Sequence, residues 1–295
     1  MAWPDNAAAA PNVNLQEVSR MATFQMNFLS REMGLMTNLS VIIPSLTPDD
    51  DIKGKGEAYK KGTKYQVLWL LHDYTGDDSV FIKFTNIVRY AEENKLIVFM
   101  PCDYNKMYTD WPGSSRYFSY IVKELPRLCR AFFPISDKRE DNFIGGIGMG
   151  AEGAMKAALL YPEQYSVVLN ISNGFCAPED DKAGIEHREK LLREGKIIAS
   201  PPDDAPESDL DLPAMARAAV EQKKPLPKII MAWGDRDKLA VDKSRNGVKL
   251  LGEYGFEVRA EETAGAGRGW DYWDATLRKA VYEWLPLRRS AILAD

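Results

Sequence analysis

The stretch "NFIGGIGMGAEGAMKAALL", residues 142–160, leaves this chain few ways to fold. It opens as a short apolar run, crosses Gly146-Ile147-Gly148-Met149-Gly150, and continues as a run rich in alanine and glycine at helical spacing. A strand that ends at Ile147 and gives way to a helix near Gly150 needs positions without a Cβ, because backbone must approach backbone there. The small residues that follow let the helix pack closely on whatever sheet the strand belongs to. So the chain contains a buried strand, a sharp turn and a tightly docked helix in direct succession.

The flanking sequence repeats that rhythm. "KYQVLWLLH" (64–72), "KLIVFMP" (95–101), "YSVVLNIS" (165–172) and "PKIIMAWGD" (227–235) are continuous apolar runs, as expected of strands covered on both faces. Between them, "SVFIKFTNIVRYAEEN", "YFSYIVKELPRLCRAFF" and "SRNGVKLLGEYG" have helical spacing, the second with a bend expected near Pro126. "MATFQMNFLS" and "MTNLSVIIPS" read as two early strands, "FEVRAEET" as a late strand, and "WDATLRKAVYEWLP" as the final helix. Alternation of this kind predicts an α/β fold with a mostly parallel central sheet and helices on both faces. Residues 1–20, rich in Ala, Pro and Asn, read as a flexible arm, and 21–295 as one domain. Within it, residues 174–224, with the acidic, turn-rich "SPPDDAPESDLDLP", read as a small cap-like insertion.

Composition removes several function classes. The net charge is −5 and no block of basic residues occurs, which argues against nucleic acid as a partner. No segment reaches membrane-spanning length and the N-terminus lacks a secretory pattern, so a cytoplasmic protein is expected. The three cysteines, Cys102, Cys129 and Cys176, are widely spaced, which suits a reducing compartment and offers no zinc-type pair. No metal or other cofactor is expected. A small-molecule ligand and a homo-oligomer are both compatible with the composition. The two histidines, His72 and His187, limit imidazole chemistry sharply.

Seven stretches in order, "FQMNFLSREMG", "VLWLLHDYTGDD", "NIVRYAEENKLIVFMP", "YIVKELPRL", "FPISDKREDNFIGGIGMGAEGAMKAALLYPEQY", "WGDRD" and "GWDYWD", resemble the esterase D / tributyrin esterase branch of the α/β-hydrolases. That branch includes S-formylglutathione hydrolase-like and acetyl- or feruloyl-esterase-like enzymes. The resemblance runs from about Met21 to the last helix, and it implies an α/β-hydrolase fold and ester hydrolysis by a Ser-His-Asp triad. It also implies where the triad should stand. The nucleophile position of the G-x-S-x-G elbow corresponds to Gly148, the acid position to Asp237 and the histidine position to Arg268. The oxyanion donors correspond to the backbone N–H groups of Tyr74 and Met149, and Asp73 stands where the family usually has glycine.

Ester hydrolysis through serine needs a hydroxyl and a base to take its proton. Glycine has no side chain and a guanidinium is not a base, so only Asp237 of the triad survives. The sequence therefore points first to an esterase-family protein without serine hydrolase catalysis, a pseudoenzyme that keeps a small-molecule or anion pocket. An enzyme working through Asp73 or Asp237 by another mechanism, and a structural or assembly protein, stay open beside it. Arg268 is expected within hydrogen-bond reach of Asp237, or of an anion near the Met149 amide. Tyr108, Trp111, Trp270, Tyr272 and Trp273 are candidates for the pocket mouth, with Trp270 foremost. His72 is read as a structural, backbone-bonded residue and His187 as a solvated residue of a charged helix, or one that the cap folds into the pocket. Cys176 is read as an ordinary small apolar residue.

Overall fold

The computed structural model describes residues 21–45, 61–110, 115–177, 180–194 and 211–292. The arm expected at 1–20, the centre of the insertion and Trp111 lie outside the described residues. Eight strands form one sheet: β1 Met21–Ser30, β2 Leu35–Pro44, β3 Gln66–Leu71, β4 Leu96–Pro101, β5 Asn142–Ile147, β6 Val167–Ile171, β7 Lys228–Gly234 and β8 Val258–Thr263. Their spatial order is β1-β2-β4-β3-β5-β6-β7-β8. The β1–β2 and β2–β4 pairs are antiparallel and the rest are parallel. Every residue of β3, β4, β5 and β6 is buried, which accounts for their unbroken apolar runs.

Side chains alternate across the sheet and build a core on each face. Val67, Trp69, Ile97, Phe99 and Ile144 join one cluster; Leu68, Leu70, Val98, Phe143 and Leu169 join the other. The predicted helix over "SVFIKFTNIVRYAEEN" is in fact two, α1 Val80–Phe84 and α2 Ile87–Glu93. Both the N–H and the hydroxyl of Thr85 donate to the Phe81 carbonyl, and the Thr85 oxygen accepts from the Ile87 N–H. A hydroxyl that competes in this way for backbone partners ends one helix and starts the next. The bend expected near Pro126 takes the form of a π-helical turn, Tyr120–Glu124, followed by α3 Leu125–Phe132. Widening the turn ahead of the proline accommodates its missing N–H and its ring.

The helix after β5, α4 Met149–Leu160, docks directly on the sheet. An ideal Cβ on Gly150 would lie 2.1 Å from the Leu71 carbonyl oxygen, so that crossing exists only because position 150 is glycine. The insertion divides into two parts. Its first helix, α5 Lys182–Arg193, is charged. Its last helix, α6 Leu212–Glu221, is capped by Asp211, whose carboxylate accepts from the Ala214 N–H at 2.8 Å. Leu212, Met215 and Ala216 of α6 are buried in the main core. Within the insertion expected at 174–224, α6 thus turns its apolar stripe inward.

The chain leaves β3 for β4 on one side and returns to β5 on the other. That reversal puts a crevice at the carboxyl ends of β3 and β5, where ligands bind in sheets of this type. The register pairs Leu71 with Gly146 and Ile147 with Ile171. Continued past the strand ends, it sets Asp73 and Ser172 on either side of Gly148.

Candidate active site

Gly148 has φ +52° and ψ −117°, a conformation that a residue with a Cβ enters at a cost of about 1–3 kcal/mol. Its N–H donates to the Ile171 carbonyl at 2.9 Å and its carbonyl accepts from Glu152 at 3.1 Å, which fixes the turn from both sides. The strained strand-to-helix geometry is thus present with no side chain at its apex.

The space above that apex is filled by Asp73. Its Oδ1 accepts from the Tyr74 N–H at 2.8 Å and from the Met149 N–H at 2.9 Å. These are the two amides that the resemblance assigned as oxyanion donors. A carboxylate oxygen makes short, charge-assisted bonds to such donors, and Met149 opens a twelve-residue helix whose N-terminus favours negative charge. Asp73, a candidate oxyanion- or ligand-binding residue by sequence, is itself the group that the two amides hold.

Arg268 closes the arrangement. Its Nη1 and Nη2 donate to the Ser172 carbonyl at 3.2 and 2.7 Å. The same guanidinium lies 3.7 Å from Asp73 Oδ2 and, through Nε, 3.9 Å from Asp237 Oδ2. Neither Arg268 Nε nor Asp237 Oδ2 makes a hydrogen bond, so the contact between them is an ion pair and not a bonded fork. The Asp237 side chain is 1% exposed and its Oδ1 accepts from the Leu239 N–H. Arginine therefore sits between two carboxylates, in place of an imidazole bonded to one.

His72 supports this assembly without facing it. The Asp103 N–H donates to His72 Nε2 at 2.9 Å, so Nε2 carries no proton. Nδ1 then carries it and donates to the Asp73 carbonyl at 2.7 Å. Both ring nitrogens are committed to backbone, and the ring holds the loop that presents Asp73. Burial lowers its pKa below the ordinary 6.5, with the Asp73 carbonyl and nearby carboxylates acting the other way. The unfolded chain therefore takes up a proton at a pH where the folded chain does not. Stability supplied by neutral His72 is full above pH 6.5 and is lost as pH falls from there toward the lower folded value. Denaturant titrations should show stability falling by at most about 1.4 kcal/mol per pH unit below that point. Replacing His72 by asparagine should flatten this slope.

A cavity of about 120 Å³ opens beside the plugged site, with Asp73, Tyr74, Gly148, Met149 and Arg268 on its inner side. Asp181 and His187 of the insertion and Lys243, which follows β7 in the chain, also line it; Lys243 Nζ and Asp181 Oδ1 are 2.5 Å apart. His187 is exposed and yet belongs to the cavity wall, so both sequence readings of it meet in one residue.

Trp270 does not line this cavity. It stacks on Phe84 at 5.0 Å and meets Trp273 edge-on at 4.9 Å, packed against the core on the other side of the sheet. Tyr108 and Trp273 are buried, donating to the His72 carbonyl and the Ser172 hydroxyl. Burial pushes the Cys176 thiol up to about 12, as for an inert apolar residue. Sequence reasoning missed Ser172, which at φ +53° turns its carbonyl to the guanidinium; nothing in "LNISNG" signals that.

The comparisons agree with this geometry at the level of fold. The Esterase family, described as "Putative esterase", matches residues 55–283. An acetyl esterase of Caldicellulosiruptor saccharolyticus is 28% identical over 275 residues, covering 90% of this chain and 98% of that protein. The solved S-formylglutathione hydrolase of Staphylococcus aureus superposes with a TM-score of 0.72 at 26% identity, covering 90% of this chain and 100% of its own. A fluorophosphonate-binding serine hydrolase of the same organism gives 0.73 at 26% identity, over 90% and 98% of the two chains.

Proposed function

The chain belongs to the Esterase family of α/β-hydrolases, and from that premise we propose that it does not hydrolyse esters through a serine nucleophile. One observation carries the reading: the elbow residue is Gly148, and the two amides that would hold a substrate's developing oxyanion are already bonded to the Asp73 carboxylate. An acyl carbonyl has neither an attacking group below it nor free donors above it. What the site keeps is a small cavity with charged side chains in its wall, for a ligand of a few non-hydrogen atoms. Acid–base chemistry by Asp237 is disfavoured by its burial behind Arg268, and by Asp73 through the commitment of Oδ1 to two amides. Three free cysteines among the described residues support a reducing, cytoplasmic setting, and no described helix is long and apolar enough to cross a membrane.

The purified protein should turn over nitrophenyl acetate and nitrophenyl butyrate no faster than buffer does. Saturable turnover by the unmodified chain would refute the reading.

A further inference from the structure

We propose that Asp73 is the resident ligand of an anion cradle, and that Asp73 and Gly148 form a steric interlock that keeps the cradle shut. The proposal builds on the loss of serine chemistry but makes a separate claim, about what fills the site and what would replace it.

The cradle has three parts: the Tyr74 N–H, the Met149 N–H and the Arg268 guanidinium behind them. Each faces the same carboxylate. Together they present two convergent backbone donors at a helix N-terminus and a cation, a combination that holds a carboxylate oxygen. Asp73 meets it within the chain, so a free anion at ordinary concentration cannot compete with a group held in place covalently.

The interlock follows from the space over Gly148. An ideal Cβ there would lie 2.3 Å from Asp73 Oδ1, 2.4 Å from Cγ and 2.5 Å from Oδ2. Real Cβ atoms do not approach so closely, so any side chain at 148 must drive the carboxylate from the cradle. Conversely, while Asp73 is seated, glycine is the one residue that fits beneath it. Two of the three departures from the family pattern, Asp73 and Gly148, are therefore one structural change: the aspartate that plugs the hole needs the absent nucleophile.

Cutting Asp73 back to glycine should remove the carboxylate from the two amides and the cation and leave a gap of its size. Formate, the smallest carboxylate, is the probe. Asp73→Gly should melt below the wild type, and millimolar formate should raise its melting temperature while leaving the wild type unmoved. Asp73→Asn keeps a carbonyl oxygen for the two amides, so formate should not shift it. Gly148→Ala should lower the melting temperature of the wild type far more than that of the Asp73→Gly chain, because the clash is gone there. If Asp73→Gly is too unstable to fold alone, recovery of folding in formate counts in favour. An equal effect of Gly148→Ala in both backgrounds overturns the interlock, and no recovery with formate, in stability or in folding, overturns the cradle. Ester turnover by the wild type would refute the functional reading and leave these two measurements standing.

Discussion

Gly148→Ser combined with Arg268→His is expected to leave ester hydrolysis near background until Asp73 is also cut back to glycine. Neither single change can work, because a serine without a base is a poor nucleophile and a base without a nucleophile activates nothing. Triad members act as a unit, which is why the two are needed together. Asp237 offers the new imidazole a carboxylate oxygen, Oδ2, that no hydrogen bond now uses. The double variant still fails at the next requirement. The new Cβ displaces the Asp73 carboxylate from its seat on the Tyr74 and Met149 amides, but the aspartate stays tethered beside them, and its negative charge opposes the oxyanion that must form there. Loss of one oxyanion donor typically lowers turnover by about 10²–10³. The triple variant should therefore exceed the double by at least about 10² in turnover of nitrophenyl acetate. A triple variant that is folded and no faster than the double would place the oxyanion donors elsewhere.

Gly150→Ala should have the largest effect on stability of any single methyl group added near the site. Its Cβ would meet the Leu71 carbonyl oxygen at 2.1 Å, the Leu71 carbonyl carbon at 2.4 Å and the His72 carbonyl oxygen at 2.7 Å. All three belong to the backbone of β3 and its exit loop, so no rotamer change relieves them. Helix α4 would have to lift from the sheet; overpacking typically costs about 1–3 kcal/mol, and a clash with backbone alone puts this site at or above the top of that range. Gly34→Ala is the comparison. It sits at φ +68° with nothing within 4 Å of its Cβ, so it bears only the conformational penalty of about 1–2 kcal/mol. Denaturant midpoints of the two variants should separate clearly, and equal losses would mean that α4 is not docked as described.

Much of this architecture was legible in the order of residues. Unbroken apolar runs such as "KLIVFMP" announced strands buried on both faces, and the glycines at 146–150 announced the turn that Gly148 adopts. The resemblance set Asp237 and Arg268 beside each other, and the structure puts them 3.9 Å apart, short of the hydrogen bond expected between them. What could not be read was how the charges divide. Asp73 was legible only as a departure from the family's usual glycine, because sequence spacing does not say where a short side chain points. Only the register of β3 against β5 brings it over Gly148. Helix α6 was hidden for a related reason: its stripe of Leu212, Met215, Ala216 and Ala219 follows an acidic loop that reads as surface. Trp270 was misplaced toward the cavity because an aromatic near Arg268 in sequence can leave on the other side of the sheet, where Phe84 stacks on it.

Intact-mass measurement after incubation with a fluorophosphonate is the most direct test of the closed site. The reagent phosphonylates an activated serine: the Oγ–P bond forms, the P–F bond breaks, fluoride leaves with the hydroxyl proton, and the chain gains the reagent's mass less that of HF. With glycine at 148 and Asp73 seated over it, the unmodified protein should emerge at its original mass, while the Gly148→Ser, Arg268→His, Asp73→Gly chain should gain one adduct, on Ser at 148. Stoichiometric labelling of the wild type would contradict the proposal, since it would require an activated nucleophile that neither Gly148 nor its neighbours supply.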